Sequence, residues 1–383
     1  MFKAFIDLVR DIYPADAVIP LHQPVFLGKE KEYLLDTIDS TFVSSVGAYV
    51  DRFEVEMARY TGAQYAIATV NGTAALHVAL LLAGVKAQTE VITQALTFVA
   101  TCNAIQYCAA EPVFVDVDKN TLGLSPAALA TFLSDHAECR EGETWNKHTG
   151  KRIAACVPMH TFGHPADMSG ILTLCDQYHI PVVEDAAEAL GSRVDTLNCG
   201  TLGRLGVLSF NGNKIMTTGG GGMILTNDES LARQAKHLTT TAKLPHPWQF
   251  EHDQIGFNYR LPNLNAALGV AQLECMPLFV AKKRELAHRY IAWSKQQAMQ
   301  CVVEPDNAQS NYWLNAFILE NQSERDTFLQ QTNQHGIMTR PIWTPMHRLP
   351  LYQHCQQGDL SNTEWAAERI VNIPSGVPPS FLA

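Results

Sequence analysis

Ser-Phe-Asn-Gly-Asn-Lys-Ile-Met-Thr-Thr-Gly-Gly-Gly-Gly occupies residues 209–222 and leads directly into Met-Ile-Leu-Thr, an apolar run typical of a strand. Its one lysine, Lys214, lies between a short polar turn and four consecutive glycines. Glycine lets a ligand approach the backbone closely, and a lysine amine withdrawn from water can form a Schiff base with an aldehyde. By itself, the stretch is explained more simply by a surface lysine beside a glycine-rich hairpin. The strands and helices that precede this stretch favour the reactive lysine over the surface lysine.

The chain before this stretch alternates between short apolar strands and helices. Strand-like runs cover 65–70, 90–93, 112–117, 153–157 and 180–185, and helical segments cover 72–84, 98–109, 126–133 and 168–178. Short buried strands that alternate with helices predict an α/β fold in which a mostly parallel sheet is flanked by helices on both faces.

The pattern changes after residue 222. Long helices are predicted at 229–239 and 262–295, and short strands at 312–319 and 336–340 then bracket a helix at 324–331. This order is typical of a smaller C-terminal α+β domain. We therefore predict a large domain over 1–270, which includes an N-terminal arm, and a small domain over 271–383.

Composition argues against several classes of function. With 383 residues, 46% hydrophobic and 17% charged, the chain has the composition of an ordinary globular protein. A formal charge of -10 argues against a nucleic-acid or anionic membrane partner. Nine cysteines without a CxxC pair, and no His/Cys cluster with ligand spacing, predict reduced thiols, no metal site and a cytoplasmic protein. The first residues, with acids inside an apolar run, do not resemble a signal peptide.

Further chemical groups fall at the predicted strand ends and helix starts, where open parallel sheets bind ligands. Gly72 and Thr73 open a helix whose amide groups suit a phosphate, and Ser209 could add a hydroxyl. Asp185 ends an apolar strand, where a carboxylate is costly unless a cation such as a protonated pyridine nitrogen pairs with it. Phe98 could stack on a flat ring. Each has an ordinary alternative: a capped turn, an isolated serine, an acidic helix cap or a core aromatic.

Together with Lys214, these groups supply what a pyridoxal 5'-phosphate site requires. At this point the sequence resembles the sugar aminotransferases of the DegT/DnrJ/EryC1/StrS type, within fold type I of the pyridoxal phosphate enzymes. The resemblance runs from Pro24 to the region around His347. Its most specific pieces are Asn-Gly-Thr-Ala-Ala-Leu (71–76), Thr-Phe-Val-Ala-Thr-Cys-Asn-Ala-Ile (97–105), Glu-Asp-Ala-Ala-Glu-Ala-Leu-Gly-Ser (184–192), Ser-Phe-Asn-Gly-Asn-Lys (209–214) and Gly-Phe-Asn-Tyr-Arg (256–260).

The resemblance implies roles for individual residues. Lys214 and Asp185 are the catalytic pair: the lysine bonds the cofactor and carries a proton, and the aspartate holds the ring nitrogen. The implied cofactor-binding set is Gly72, Thr73, Ala74, Phe98, Asn103, Asp185, Glu188, Ser209, Lys214 and Asn258. Glu188 stands where many members have a glutamine that contacts the ring hydroxyl. Asn258 matches a residue that reaches the phosphate of the neighbouring subunit, which implies a homodimer with shared active sites.

The implied reaction moves the amino group of L-glutamate to C4 of a nucleotide-linked 4-keto-6-deoxy sugar. Segments at 39–47, 159–168 and 340–349 resemble the branch that aminates UDP-linked 4-keto-6-deoxy-N-acetylhexosamines in legionaminic acid and bacillosamine biosynthesis. We therefore predict a UDP-2-acetamido-2,6-dideoxy-4-ketohexose as acceptor, in surface glycan biosynthesis. The candidate substrate contacts are His160, Tyr259, Arg340 and His347.

Three alternatives stay open at this stage. A GDP- or dTDP-4-keto-6-deoxyhexose aminotransferase of the perosamine type would have the same catalytic residues. Relatives with a histidine in place of the lysine catalyse dehydration at C3, and Lys214 argues against that chemistry. A sugar-nucleotide binding protein without cofactor would have little use for Lys214 and Asp185, which are both present.

Overall fold

The computed structural model describes residues 2–14 and 17–381. The α-helices in this part of the chain are α1 (Phe2–Ile12), α2 (Glu30–Asp39), α3 (Ala48–Thr61), α4 (Gly72–Leu82), α5 (Val99–Tyr107), α6 (Pro126–His136), α7 (Met168–Gln177), α8 (Glu229–Thr239), α9 (Asn263–Glu274), α10 (Met276–Gln296), α11 (Gln322–Gln334) and α12 (Ser361–Arg369). The strands are β1 (Tyr65–Thr69), β2 (Thr89–Gln94), β3 (Glu111–Val115), β4 (Ala137–Arg140), β5 (Glu143–Asn146), β6 (Arg152–Val157), β7 (Val183–Asp185), β8 (Arg193–Val194), β9 (Leu197–Asn198), β10 (Leu205–Ser209), β11 (Gly222–Thr226), β12 (Gln300–Cys301), β13 (Ala308–Gln309), β14 (Asn315–Ile318), β15 (Arg340–Pro341) and β16 (Ile370–Ile373).

Seven of these strands form the central sheet, in the order β3-β2-β6-β7-β10-β11-β1. β2 pairs in parallel with β3 and β6, parallel bridges connect β6 and the residues after it with β7, and β7 pairs in parallel with β10. Of these seven strands only β11 is antiparallel to its neighbours, because the chain reverses direction after β10. The β4–β5 hairpin adds a further antiparallel pair beside β6. The predicted α/β fold with a mostly parallel sheet is confirmed.

The parallel arrangement decides where polar side chains gather. β1, β2, β7 and β10 run in the same direction, so their carboxyl ends lie at one edge of the sheet. These ends are Thr69, Gln94, Asp185 and Ser209. The strands themselves are mostly buried, because helices such as α4 against β10 and β11, and α6 against β3, cover the sheet. We therefore expect the ligand-binding site to lie at this edge of the sheet.

Three sequence predictions about the C-terminal half need correction, and the first is the strand predicted at 336–340, since β15 covers only Arg340–Pro341. The helix predicted at 262–295 is two helices, α9 and α10, that bend by 60° at Cys275. Pro277 lies in the first turn of α10, where a proline is tolerated because it has no amide proton to donate backwards. The strand predicted to start at Tyr312 starts at Asn315, since Tyr312 has a left-handed φ of 48°.

Among residues 2–14 and 17–381, no single helix has both the length and the apolar composition that a membrane span needs. The helices α9 and α10 meet both requirements only when taken together as a bent pair.

The C-terminal region has a sheet of its own, in the order β12-β14-β16-β15, with all neighbours antiparallel. The first helix of the chain packs there: Phe5 of α1 lies 5.3 Å from Phe317 and 5.1 Å from Phe328, ring centre to ring centre. The domain boundary near residue 270 stays a prediction, and α1 belongs by its packing with the C-terminal sheet.

A buried carboxylate joins α12 to the central sheet. Asp116 follows β3, and its oxygens accept hydrogen bonds from the amides of Asn362 (2.8 Å) and Thr363 (2.7 Å) and from the Thr363 hydroxyl (2.7 Å). Asp116 therefore caps the start of α12 from a distant part of the chain.

We expect Asp116→Ala to lower the stability by roughly 3 kcal/mol, because three donors lose a charged acceptor. The change should appear as a melting temperature several degrees below that of the parent protein. Asp135→Ala, at an exposed position of α6, is the matched control and should melt like the parent. Equal melting of the two variants would contradict a joining role for Asp116.

Candidate active site

A cleft of about 310 Å³ opens at the carboxyl edge of the central sheet. This volume is within the range of small-molecule sites. The loop after β1, the start of α5, the ends of β7 and β10 and the β10–β11 connection line it, and two tryptophans from the C-terminal half close it. Seven of the predicted site residues line this cleft: Gly72, Thr73, Phe98, Asp185, Glu188, Ser209 and Lys214.

One end of the cleft is built to hold an anion. α4 begins at Gly72, and the Asn71 side chain accepts the amide proton of Ala74 at 2.7 Å. The amides of Gly72 and Thr73 lie in the first turn, where an α-helix has no internal acceptor for them and carries a partial positive charge. Gly72 is also packed closely: a Cβ there would lie 2.9 Å from the Cβ of Ser209. Ala74, predicted to bind the cofactor, contributes to this turn through its capped amide and does not line the cleft.

The end of β7 places a carboxylate deeper in the cleft. Asp185 is buried, and it accepts hydrogen bonds from the Thr101 hydroxyl at 2.7 Å and the Ala187 amide at 3.2 Å. Thr101 is itself bonded to Thr97 one turn earlier, at 2.8 Å between hydroxyl oxygens. A buried carboxylate oriented in this way suits a cationic ring nitrogen.

Lys214 and Glu188 meet in the same cleft. The lysine Nζ lies 3.2 Å from Glu188 Oε1, and only 13% of the lysine side chain is exposed. The other oxygen of Glu188 accepts the Phe162 amide proton at 2.9 Å. Burial raises the pKa of Glu188 to about 7, against the opposing attraction of Lys214. Burial therefore makes Glu188 easier to protonate than an exposed glutamate.

Aromatic side chains form the remaining walls. Phe98 is 49% exposed and lies 6.4 Å from Trp343, ring centre to ring centre. Trp313 lies under Lys214, with Nζ 4.0 Å from the centre of its ring. Phe98 was predicted from the sequence. Trp313 and Trp343 were not predicted, and both are more than 120 residues from Asp185 in sequence. No local pattern distinguishes Trp313 from a core tryptophan, whereas Trp343 lies in the segment 340–349 that resembles the nucleotide-sugar enzymes.

The structure does not bring two predicted cofactor residues to this cleft. Asn103 lies on α5 and accepts a hydrogen bond from the Tyr352 hydroxyl at 2.6 Å, which joins α5 to the C-terminal segment. Asn258 is exposed and accepts a hydrogen bond from Arg260 at 3.0 Å. Within one chain, neither side chain is among those that line the cleft.

The four predicted substrate contacts also lie away from the cleft lining. His160 is fully buried: its Nδ1 accepts the Ala166 amide proton at 3.1 Å, so Nε2 carries the proton that is donated to Glu184 at 2.9 Å. With both ring nitrogens engaged, His160 orients Glu184 and has no nitrogen left for a substrate. A contact between His160 and the sugar stays a prediction that this geometry does not support.

The other three have partners at the surface or in neighbouring elements. The Tyr259 hydroxyl lies 3.3 Å from Nδ1 of His77. Arg340 is exposed and donates to the Asn333 side chain at 3.1 Å. His347 bonds Glu364 at 2.7 Å through Nε2. In a single chain these residues do not meet around Lys214.

Comparison with known proteins agrees with this geometry. A model of the DegT/DnrJ/EryC1/StrS aminotransferase family matches residues 27–378. This chain belongs to that family. It is 37% identical over 359 residues to the GDP-perosamine synthase of Escherichia coli O157:H7, a match that covers 93% of each protein. It is 35% identical over 365 residues to the GDP-perosamine synthase of Caulobacter vibrioides, again covering 93% of each.

A solved structure supports the fold assignment. The aminotransferase TlmJ from Streptoalloteichus hindustanus superposes with a TM-score of 0.83 at 29% identity, over 94% of this chain and 93% of TlmJ. The predicted fold type I architecture is confirmed. The chain is a pyridoxal phosphate-dependent nucleotide-sugar aminotransferase, as predicted, with an amino donor and a nucleotide sugar as its substrates.

The cleft of this DegT/DnrJ/EryC1/StrS aminotransferase fits its cofactor on chemical grounds. A close-packed glycine and a helix start suit the phosphate, Asp185 suits the ring nitrogen, and Lys214 is the one amine that lines the cleft among the described residues. Among those same residues, no group of three or more His, Cys, Asp or Glu side chains is placed to hold a metal ion.

We expect Gly72→Ala to weaken the binding of pyridoxal phosphate at least about tenfold, or ~1.4 kcal/mol. The added methyl would contact Ser209 and displace the residues expected to hold the phosphate. Binding can be followed by titrating cofactor-free protein with pyridoxal phosphate and reading its absorbance. Gly212→Ala is the control, since a Cβ there meets no atom within 4 Å. Unchanged affinity in Gly72→Ala would refute this location of the phosphate.

Proposed function

We propose that this protein transfers the amino group of L-glutamate to C4 of a GDP-linked 4-keto-6-deoxyhexose, with pyridoxal phosphate as cofactor. The observation that carries the aminotransfer is the meeting of Lys214, Asp185 and the Gly72 helix start in one cleft. The choice of a GDP sugar rests on the similarity to GDP-perosamine synthases over nearly the full length of both proteins.

The cofactor, when bound, supplies an aldehyde carbon that accepts an amino group and a ring that withdraws electrons. The chain's residues do the rest. Gly72, Thr73 and Ser209 hold the phosphate, and Asp185, oriented by Thr101, keeps the ring nitrogen protonated. Such fixed groups lower the cost of charge development because they need no reorganisation during the reaction.

Lys214 moves the proton. Its amine removes a proton from the α-carbon of L-glutamate and later delivers one to C4 of the sugar, acting as general base and then as general acid. Glu188 lies within hydrogen-bond distance of that amine and has a pKa of about 7, so it can present either a charge or a proton to its neighbours. Phe98 and Trp343 form an apolar wall on which the substrate sugar or the cofactor ring can lie.

A second acceptor class stays a candidate. The segments at 39–47, 159–168 and 340–349 resemble enzymes that aminate UDP-2-acetamido-2,6-dideoxy-4-ketohexoses. The comparisons with curated relatives favour the GDP alternative over this first prediction. The cytoplasmic location and the surface glycan as end product stay predictions of the sequence.

A panel of acceptors tests the proposal. The protein, loaded with pyridoxal phosphate and L-glutamate, is incubated separately with GDP-, dTDP- and UDP-linked 4-keto-6-deoxy sugars, and the amino-sugar products are identified by mass. We expect the GDP sugar to have a kcat/KM at least about tenfold above the others, which equals ~1.4 kcal/mol of transition-state binding. Lys214→Ala should give no turnover with any acceptor. A preference for the UDP sugar would correct the substrate and leave the chemistry intact.

We also propose that the active protein is a homodimer with shared active sites. Asn258 is remote from the cleft lining of its own chain, although the family resemblance assigns it to a cofactor phosphate. The segment just before it exposes Trp248, Phe250 and Ile255, which are 76%, 79% and 85% accessible. Large apolar side chains this exposed are typical of a surface that meets another protein. A second copy of this chain would cover the exposed apolar side chains and receive Asn258 in its own cleft.

Mixing two inactive variants tests the shared site. In a dimer of one Lys214→Ala chain and one Asn258→Ala chain, one of the two sites would have both residues intact. Random exchange of subunits should therefore restore roughly a quarter of the parent activity. Each variant alone should stay well below that value. If the mixture is no more active than the sum of its components, Asn258 does not serve the partner's site.

A further inference from the structure

The amine of Lys214 lies between two groups that come from different parts of the chain. On one side Glu188 Oε1 is 3.2 Å from Nζ, and on the other the face of the Trp313 ring is 4.0 Å away, measured to its centre. An ammonium over the face of an indole is attracted by the ring's electron distribution, and most strongly where water is excluded. The Trp313 side chain is almost fully buried, at 4% exposure.

Trp313 is held in this position by three hydrogen bonds. Its ring Nε1 donates to the carbonyl of Asn213, the residue before Lys214, at 2.7 Å. Its amide donates to Asn311 Oδ1 at 2.8 Å, and its carbonyl accepts from Nζ of Lys283 at 2.9 Å. The indole face is thus fixed relative to the backbone that carries Lys214.

The opposite side of the amine is fixed through the same asparagine. Asn311 is fully buried, and its Nδ2 donates to the carbonyl of Glu188 at 2.8 Å and to that of Leu190 at 2.9 Å. The Glu188 carboxylate is further oriented by the Phe162 amide. One side chain from the C-terminal half therefore sets the spacing between Glu188 and Trp313.

We propose that Trp313 is a positioning residue that, together with Glu188, holds the Lys214 amine whenever it is not bonded to the cofactor. The inference rests on the proposed function only in the reason for holding the amine, which is aminotransfer. During aminotransfer the lysine is released and has to act on a carbon nearby. A flexible lysine released toward solvent would spend much of its time out of reach, whereas the carboxylate and the indole keep the amine at the cleft wall.

Chemical labelling of the cofactor-free full-length protein tests the holding site without any turnover. Acetic anhydride is added at a fixed pH, and acetylation of Lys214 is measured by peptide mass spectrometry relative to that of Lys31, which is exposed. In Trp313→Leu we expect the Lys214 rate to rise about fivefold or more. In Trp313→Phe, which keeps an aromatic face, it should stay within about twofold of the parent.

This pair of variants separates the proposed role from a structural one. Both lose the hydrogen bond from the ring nitrogen to the Asn213 carbonyl, so a role limited to that bond predicts the same labelling in each. Glu188→Gln keeps the shape of the side chain and removes its charge, and we expect it to raise the Lys214 rate about threefold or more. It serves as the second test if Trp313→Leu does not fold.

Equal labelling of Lys214 in Trp313→Leu and Trp313→Phe, or unchanged labelling in Trp313→Leu and Glu188→Gln, would overturn the proposal. The result is independent of the proposed reaction. A parent protein that aminates no 4-keto sugar would refute the function and leave the labelling pattern as it is.

Discussion

A lysine amine in a mostly buried cleft needs partners that offset its lost hydration, and much of this structure supplies them. Glu188 and the face of Trp313 contact the amine of Lys214, and both are fixed by Asn311, which reaches back from the C-terminal half. A turn with a left-handed glycine approaches this asparagine: a Cβ on Gly163 would lie 1.9 Å from its side-chain oxygen. The position of the Lys214 amine therefore depends on the backbone of three separate segments, those around Gly163, Glu188 and Asn311.

The central sheet explains why the cleft exists at all. Parallel strands bring Asp185 and Ser209 to one edge, while β11 turns back and pairs its Gly222 with Ser209. A side chain at Gly222 would meet the carbonyl of Asn71 at 2.4 Å, so the glycine allows the turn before α4 to approach. Phosphate site and lysine turn are thus parts of a single packed unit.

The C-terminal half closes the cleft and also supports the residues that line it. Lys283 is fully buried on α10, donates to the carbonyls of Trp313 and Ser375, and has its pKa lowered far below the usual value by burial. The buried Lys283 amine therefore supports the Trp313 backbone through its hydrogen bond to that carbonyl. Exposed apolar residues before Asn258 add a surface suited to a partner chain, and the homodimer that we propose would use it.

The alternation of strands and helices follows from the amino-acid sequence alone, because burial on both faces of a parallel sheet demands short apolar runs. The sequence also placed Gly72, Asp185, Ser209 and Lys214 at strand ends and turns. Glycine and polar residues that follow a short apolar run mark such positions locally. The other residues of the cleft join these four through contacts that form when the chain folds. Trp313 and Trp343 follow Lys214 by about a hundred residues or more, and His160 is turned inward by Glu184. Contacts of this kind between separate segments leave no local pattern in a sequence.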